Sequence, residues 1–196
     1  MRNVYKFLYP TLVLAAICLI VSLALSSTNM ITEKKIAEIE EKNTNKAMQR
    51  VLKADEYSEK TLEADGEKIT YYEASEGGKV TGFIFITSAN GYGGEVKVMT
   101  AIENGGGNSI KAVEILDVSN ETPGLGQNAA NKKFYGQFAG LPGGNDISVV
   151  KSGADRDMLQ INAVTGATIT SRAVTKAVNE ARKLSEKIIP EEADDE

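Results

Sequence analysis

Four hydroxyl groups stand within the seven residues Thr165-Gly166-Ala167-Thr168-Ile169-Thr170-Ser171, just where a long amphipathic run begins. One reading is plain. Thr168, Thr170 or Ser171 caps a helix, its oxygen accepting a free backbone N–H. The charges point to a second reading. A helix N-terminus carries partial positive charge and unpaired N–H groups. Acids ordinarily complement it in the first turn. Here Arg172 and Lys176 add positive charge instead, and the first acid is Glu180. An anion from outside the chain would complete this arrangement, and a phosphate group does so at many helix N-termini. Gly166 and Ala167 leave room for another group to approach the backbone. The chemistry indicated is phosphate binding at Thr165 to Ser171.

What the chain lacks narrows that chemistry. It has 196 residues, no His, no Trp and one Cys, Cys18. A four-Cys iron–sulfur site, c-type haem attachment and a His-based zinc site are excluded within the chain. Ser-His-Asp and Cys-His catalysis are excluded with them. Redox work, if there is any, must rest on an organic cofactor. Thr168 is a poor hydrolytic nucleophile, with no His or Cys partner and no N-terminal amine. Net charge is −5, and Lys and Arg are spread along the chain, so no nucleic-acid surface is indicated.

The elements that must carry this stretch read as follows. Phe7 to Ser27 is 21 residues without a charge, and roughly 20 apolar residues cross a bilayer as a helix. Arg2 and Lys6 precede it, which favours a cytoplasmic N-terminus. A cleaved signal peptide, with Ala24-Leu25-Ser26 as its small-x-small site, is the alternative. Ile17 before Cys18 argues against a lipoprotein. Residues 1–28 are thus a transmembrane anchor and 29–55 a juxtamembrane helical stalk. Asn43-Thr44-Asn45 is a place where that stalk can break in two. Strands are expected at Lys68 to Ala74, Val80 to Thr87, Glu95 to Glu103, Ser109 to Val118 and Asp146 to Lys151, with Gly turns at Gly77-Gly78 and Gly105 to Gly107. Asn128 to Phe138 reads as a helix, and Thr170 to Ile189 as the longest soluble helix, with Val174, Ala177, Val178, Ala181, Leu184 and Ile188 on one face. The expectation is an α+β domain over 56–189, a mainly antiparallel sheet with flanking helices, followed by an acidic tail at 190–196.

Thr165-Gly166-Ala167-Thr168 resembles the flavinylation motif of the FMN-binding domain family. Glu121-Thr122-Pro123-Gly124-Leu125-Gly126, with Phe134 and Gln137-Phe138 after it, resembles a signature of the G subunits of ion-translocating ferredoxin:NAD oxidoreductase (Rnf) complexes. The C subunits of sodium-pumping NADH:quinone oxidoreductases share the motif and the anchor but are longer. Gly91-Tyr92-Gly93-Gly94 is a third, weaker match, equally explained as a glycine hairpin turn. The chain departs from the pattern at Asn162, where the family usually has Asp, and at Thr165, where Ser is common.

The resemblance implies a cofactor and a role. FMN would be attached covalently through a phosphoester to Thr168 by an external flavin transferase. Gly166 and Ala167 would permit its close approach, and Arg172 and Lys176 would neutralise the phosphate. Thr165, Thr170 and Ser171 complete the motif. Tyr92, Glu121, Thr122, Leu125 and Gly126 would pack on or bond to the isoalloxazine. The implied function is electron transfer inside a membrane complex that couples it to sodium or proton transport, with other membrane and iron–sulfur subunits as partners. The chain is then an enzyme as a subunit of that translocase, with no catalytic residue of its own. The anchor would cross the cell membrane once and leave the FMN domain on the outer face. Two rival readings have separate signatures. A non-flavin extracytoplasmic binding module would be colourless. A stand-alone membrane-anchored FMN reductase would act on a small molecule without partners.

Overall fold

In a computed structural model the described residues are 2–64, 67–105 and 107–188. Gly106, Ile189 and the acidic tail 190–196 lie outside them. The chain divides into two compact units, Met1–Thr44 and Asn45–Glu196.

The first unit is helical. Helix α1 (Arg2–Val51) begins there and runs without interruption into the second unit. Asn43-Thr44-Asn45 therefore does not break it, contrary to the expectation from sequence. Asn and Thr are only weakly unfavourable inside a helix, and the next turns are held by packing. An 18-residue window of this helix has a mean hydropathy of 2.4 with none of it buried. A helix apolar on every side with nothing packed against it has the properties of a membrane span. Where its composition turns polar, hydroxyls fold back on the helix: Ser27 donates to the Leu23 carbonyl and Thr28 to that of Ala24, at 2.8 and 2.9 Å.

The second unit is built on a five-stranded antiparallel meander in sequence order. Its strands are β1 (Glu56–Ala64), β2 (Glu67–Glu76), β3 (Lys79–Asn90), β4 (Glu95–Glu103) and β5 (Ile110–Asp117). The β2–β3 turn places Gly77 and Gly78 both at positive φ, 56° and 77°, which suits the twist of a two-residue hairpin. Strand β1 escapes the sequence reading because its residues, EYSEKTLEA, are largely polar. That composition suits an edge strand, where charge discourages further pairing.

Both faces of the sheet are covered, which explains why β3 reads as a continuous apolar run rather than an alternating one. On one face Ala74, Ile84, Met99 and Ala101 meet Ala47, Met48, Val51 and Leu52 of the α1 end. On the other lies α3 (Thr168–Ile188). Its Val174, Ala177 and Val178 meet Val96 and Val98, and its Ala181 and Leu184 meet Phe85 and Ile102. Burial of each large side chain is worth about 1.5–3 kcal/mol. Between β5 and α3 the chain is less regular. The expected helix at Asn128 to Phe138 is instead a 3-10 turn (Gly126–Ala130), a single α turn α2 (Lys132–Tyr135) and a second 3-10 turn (Gly136–Phe138). Asn131, extended at ψ 134°, divides them. Strand β6 is only Ser148–Val150, and it pairs in parallel with β7 (Gln160–Asn162), a strand too short to leave a sequence pattern.

One surface interaction makes acid stability measurable. Glu103 sits below the usual carboxylate range because Lys111, at 2.7 Å, and Ser109, at 2.9 Å, both donate to it. A depressed folded pKa stabilises above the unfolded value, about 4.3, and that contribution is lost as pH falls through the folded value. Glu103→Gln should therefore lower the thermal midpoint slightly at neutral pH and leave it unchanged at the lowest pH. A difference that persists undiminished in acid would contradict the assignment.

Candidate functional site

Three chain segments meet at the N-terminus of α3. The first is the turn from Gly91 to Gly94 between β3 and β4, closed by the Gly91 amide on the Gly94 carbonyl at 2.7 Å. The second is the loop Glu121 to Gly126, where the Leu125 amide donates to the Thr122 carbonyl at 3.1 Å across Pro123-Gly124. The third is the motif itself. Strand β7 delivers Asn162, the Ala167 amide turns back on Val164 at 3.0 Å, and the Ser171 amide donates to Ala167 to open the helix. Gly166 stands at φ 77°, a conformation costly for residues with a side chain.

Between the segments lies a cavity of about 550 Å³, within the range of small-molecule sites. Tyr92, Glu121, Thr122, Leu125 and Gly126 of the first two segments line it, together with Gly166 to Thr170 of the third. Among the described residues of the globular unit, four large apolar side chains are exposed: Tyr92, Leu125, Met158 and Ile169. Three of the four border this cavity. Exposed apolar groups gathered round one concavity mark a binding site. Ile169 is the lining residue that the sequence reading named only as part of the motif. An apolar residue left exposed in the first turn was its available signal.

The four motif hydroxyls have different fates. Thr170 is buried and donates to Glu121 Oε2 at 2.7 Å. Ser171 is buried, donates to the Ala167 carbonyl and accepts from the Val164 amide, both at 2.9 Å. Thr165 is exposed and lines a different cavity, beside Lys133 and Lys151. Of these four, Thr168 alone lines the cavity with a hydroxyl that no protein group engages among the described residues. Arg172 and Lys176 are exposed and line a further groove with Asp146 and Asn179, rather than the cavity wall.

Glu121 also answers the charge question raised by the sequence. Its carboxylate reaches the first turn of α3 from 49 residues away, so an acid does complement this N-terminus. Its other oxygen accepts from the Tyr92 and Gly93 amides at 2.8 and 3.1 Å. At Gly126 a Cβ would meet Glu121 and stand 2.8 Å from the Thr170 hydroxyl. Gly126→Ala should cost about 1–3 kcal/mol by overpacking, read as a lower thermal midpoint. An unchanged midpoint would mean that the loop accommodates the methyl group freely.

Asn162 is bound into the same region. Its Oδ1 accepts from the Ala154 amide at 3.0 Å, and its Nδ2 donates to Gln137 Oε1 at 3.3 Å. An Asp could keep the first bond but not the second, so Asn162 fits this Gln137.

The class follows from fold and cavity. Residues 91–183 match the FMN-binding domain family. Two solved structures share the fold. The crystal structure of Shewanella oneidensis NqrC aligns with a TM-score of 0.52 at 22% identity, over 62% of each chain. That of the C subunit of the Na(+)-translocating NADH-quinone reductase from Parabacteroides distasonis gives 0.50 at 19% identity, over 70% of this chain and 64% of that one.

Curated relatives are more specific. The chain is 36% identical over 165 residues to the G subunit of the proton-translocating ferredoxin:NAD(+) oxidoreductase complex of Clostridium ljungdahlii, covering 84% of this chain and 83% of the relative. It is 35% identical over 182 residues to the Na(+)-translocating counterpart of Acetobacterium woodii, covering 86% of each. The chain belongs to the family of G subunits of ion-translocating ferredoxin:NAD(+) oxidoreductase complexes.

Proposed function

We propose that the chain is a membrane-anchored electron carrier of such a complex, bearing FMN through a phosphoester on Thr168. The observation that carries the reading is the fate of the hydroxyls. Thr170 and Ser171 are spent inside the fold, Thr165 opens elsewhere, and Thr168 faces the cavity unengaged. The residues present fit the cofactor. The cavity is large enough, its rim is apolar, and its edge is a helix N-terminus suited to a phosphate.

FMN supplies the redox chemistry, accepting and releasing electrons one or two at a time. The chain's own groups bind and orient it. Tyr92, Thr122 and Leu125 offer surface for the ring, and Gly126 lets it approach the backbone. Gly166 and Ala167 keep side chains clear of the phosphate. Arg172 follows Thr168 by one helical turn, on the same side of α3, within reach of a phosphate on that hydroxyl. Thr168 is an attachment point rather than a nucleophile in turnover.

The anchor crosses the membrane once, with its N-terminus in the cytoplasm and the FMN domain on the outer face, where a tether prevents loss of the cofactor to the medium. No charge lies within its apolar run, so the ion path belongs to other subunits. Partners are the membrane and iron–sulfur subunits of the complex, and a flavin transferase during maturation. Coupling is to sodium or proton movement, as in the two relatives. The test is an intact mass of the chain purified from its own membrane, with peptide mapping of 162–172. A gain of one FMN less one water, located on Thr168, is expected. A flavin-free, colourless chain would overturn the proposal.

A further inference from the structure

We propose that Glu121 is the positioning residue of the cavity: it ties the Tyr92 turn to the N-terminus of α3 and keeps the phosphate of the ligand at the rim. The ligand is taken from the FMN reading above, whereas the tie itself is independent of it.

Glu121 is only 2% exposed. No Lys or Arg pairs with it among the described residues. A buried carboxylate without a cation is costly unless hydrogen bonds replace its water. Here three donors do so: the Tyr92 amide, the Gly93 amide and the Thr170 hydroxyl. They come from 28 to 49 residues away and belong to two separate segments, the Gly91 to Gly94 turn and the N-terminus of α3. Gly91 and Gly126 have no room for a Cβ because of this same side chain. Three stretches of chain are therefore shaped round one carboxylate. Its acceptors are largely used by the protein itself, so it serves as a brace more than as a partner for the ring.

The brace has an electrostatic consequence. Consecutive N–H groups such as those of Tyr92 and Gly93 make an anion-binding nest, and the end of α3 is a second anion site. Glu121 fills the nest and bonds at the helix end. A phosphate is thereby repelled from the inner part of the cavity and directed outward to Thr168, while the neutral ring is admitted. A fixed negative charge beside that ring also opposes the addition of electrons, which lowers its reduction potential.

The test uses the full-length chain in detergent. Amide hydrogen exchange is measured at Tyr92 and Gly93 on a Thr168→Ala background free of covalent flavin. The midpoint potential is measured on flavin-bearing protein. Glu121→Gln should speed exchange at both amides by about tenfold, the loss of a charge-assisted bond, and move the potential in the positive direction. Glu121→Asp keeps the charge but is too short to reach both the Tyr92 turn and Thr170. Its potential should stay near that of the parent while exchange at the two amides rises. Unchanged exchange in Glu121→Gln overturns the brace, and an unmoved potential overturns the role of its charge. Should that variant not fold, Thr170→Val removes one of the three bonds, and unchanged amides there overturn the brace equally. A parent chain without flavin would refute the FMN reading, and the exchange measurement would still decide the tie.

Discussion

Thr168→Ala should yield a folded, membrane-anchored chain with no covalent flavin, a complete loss rather than a partial one. The reason is that, of the motif hydroxyls, Thr170 and Ser171 are sealed in the fold, Thr165 opens on another cavity, and Thr168 alone faces this one unengaged. Thr170 and Ser171 are 1% and 0% exposed, and both are held by internal hydrogen bonds. For either to accept a phosphoester, the first turn of α3 would have to open. The expectation for stability is the reverse. Thr168 is half-buried at the first helical position and bonds nothing with its side chain among the described residues. Truncation at such a site ordinarily changes stability within about ±0.5 kcal/mol. The mass of residues 162–172 should therefore lose the adduct while the thermal midpoint of the apo chain hardly moves. Thr168→Ser should retain an acceptor hydroxyl at the same place, and Thr165→Ala should leave the adduct intact. An adduct that persists in Thr168→Ala would move the attachment to another residue. A large fall in the midpoint would show that Thr168 is part of the fold instead.

The second large effect is expected far from the cavity, at Arg182. This guanidinium is 2% exposed. It donates to the carbonyls of Asn145 and Pro142 at 2.7 and 2.8 Å, and its Nε has no partner among the described residues. Burial holds it below the usual Arg range, opposed by the nearby charges of Glu186 and Asp146. One turn earlier Asn179 brackets Ile147, accepting from its amide and donating to its carbonyl at 3.0 Å. Together the two residues fasten the irregular segment 142–147 to α3. Arg182→Ala would remove the donor that holds two loop carbonyls and leave a cavity where the side chain was buried, at a cost of about 2–4 kcal/mol. For a unit of this size that is a fall in thermal midpoint of roughly 5–15 °C. Arg182→Lys should not restore it, because a single ammonium cannot span two carbonyls as a planar fork does. Denaturant midpoints of the three chains, compared at equal m-value, would measure this. A change below about 0.5 kcal/mol would show that the cost of burying the charge cancels its bonds.

Much of this protein was legible from local pattern. The apolar run from Phe7 to Ser27 announces a membrane span, because a bilayer demands length and hydrophobicity alone. Strands β2 to β5 announce themselves by apolar runs and Gly turns. The face of α3 is readable because its period of 3.6 residues repeats over five turns. The crowd of hydroxyls at its start pointed to the candidate site, and chemistry by elimination pointed to an organic cofactor.

The remainder depended on distance in sequence. Strand β1 has no apolar signal, since an edge strand is stabilised by the neighbour it pairs with. Strands β6 and β7 are three residues each, too short for any period, and exist because each residue's partner lies twelve residues away. The 126–138 segment carries helical residues, yet packing against β5 and α3 bends it into three short turns. The motif hydroxyls look equivalent in a linear chain. Only the fold assigns Thr170 to Glu121, Ser171 to the backbone and Thr165 to another cavity, and leaves the Thr168 hydroxyl facing the site. The missing acid of the α3 N-terminus is the plainest case. Residue types and spacing fixed the demand for negative charge there. Glu121 meets it from 49 residues away, since electrostatic pairing follows distance in space and takes no account of position along the chain.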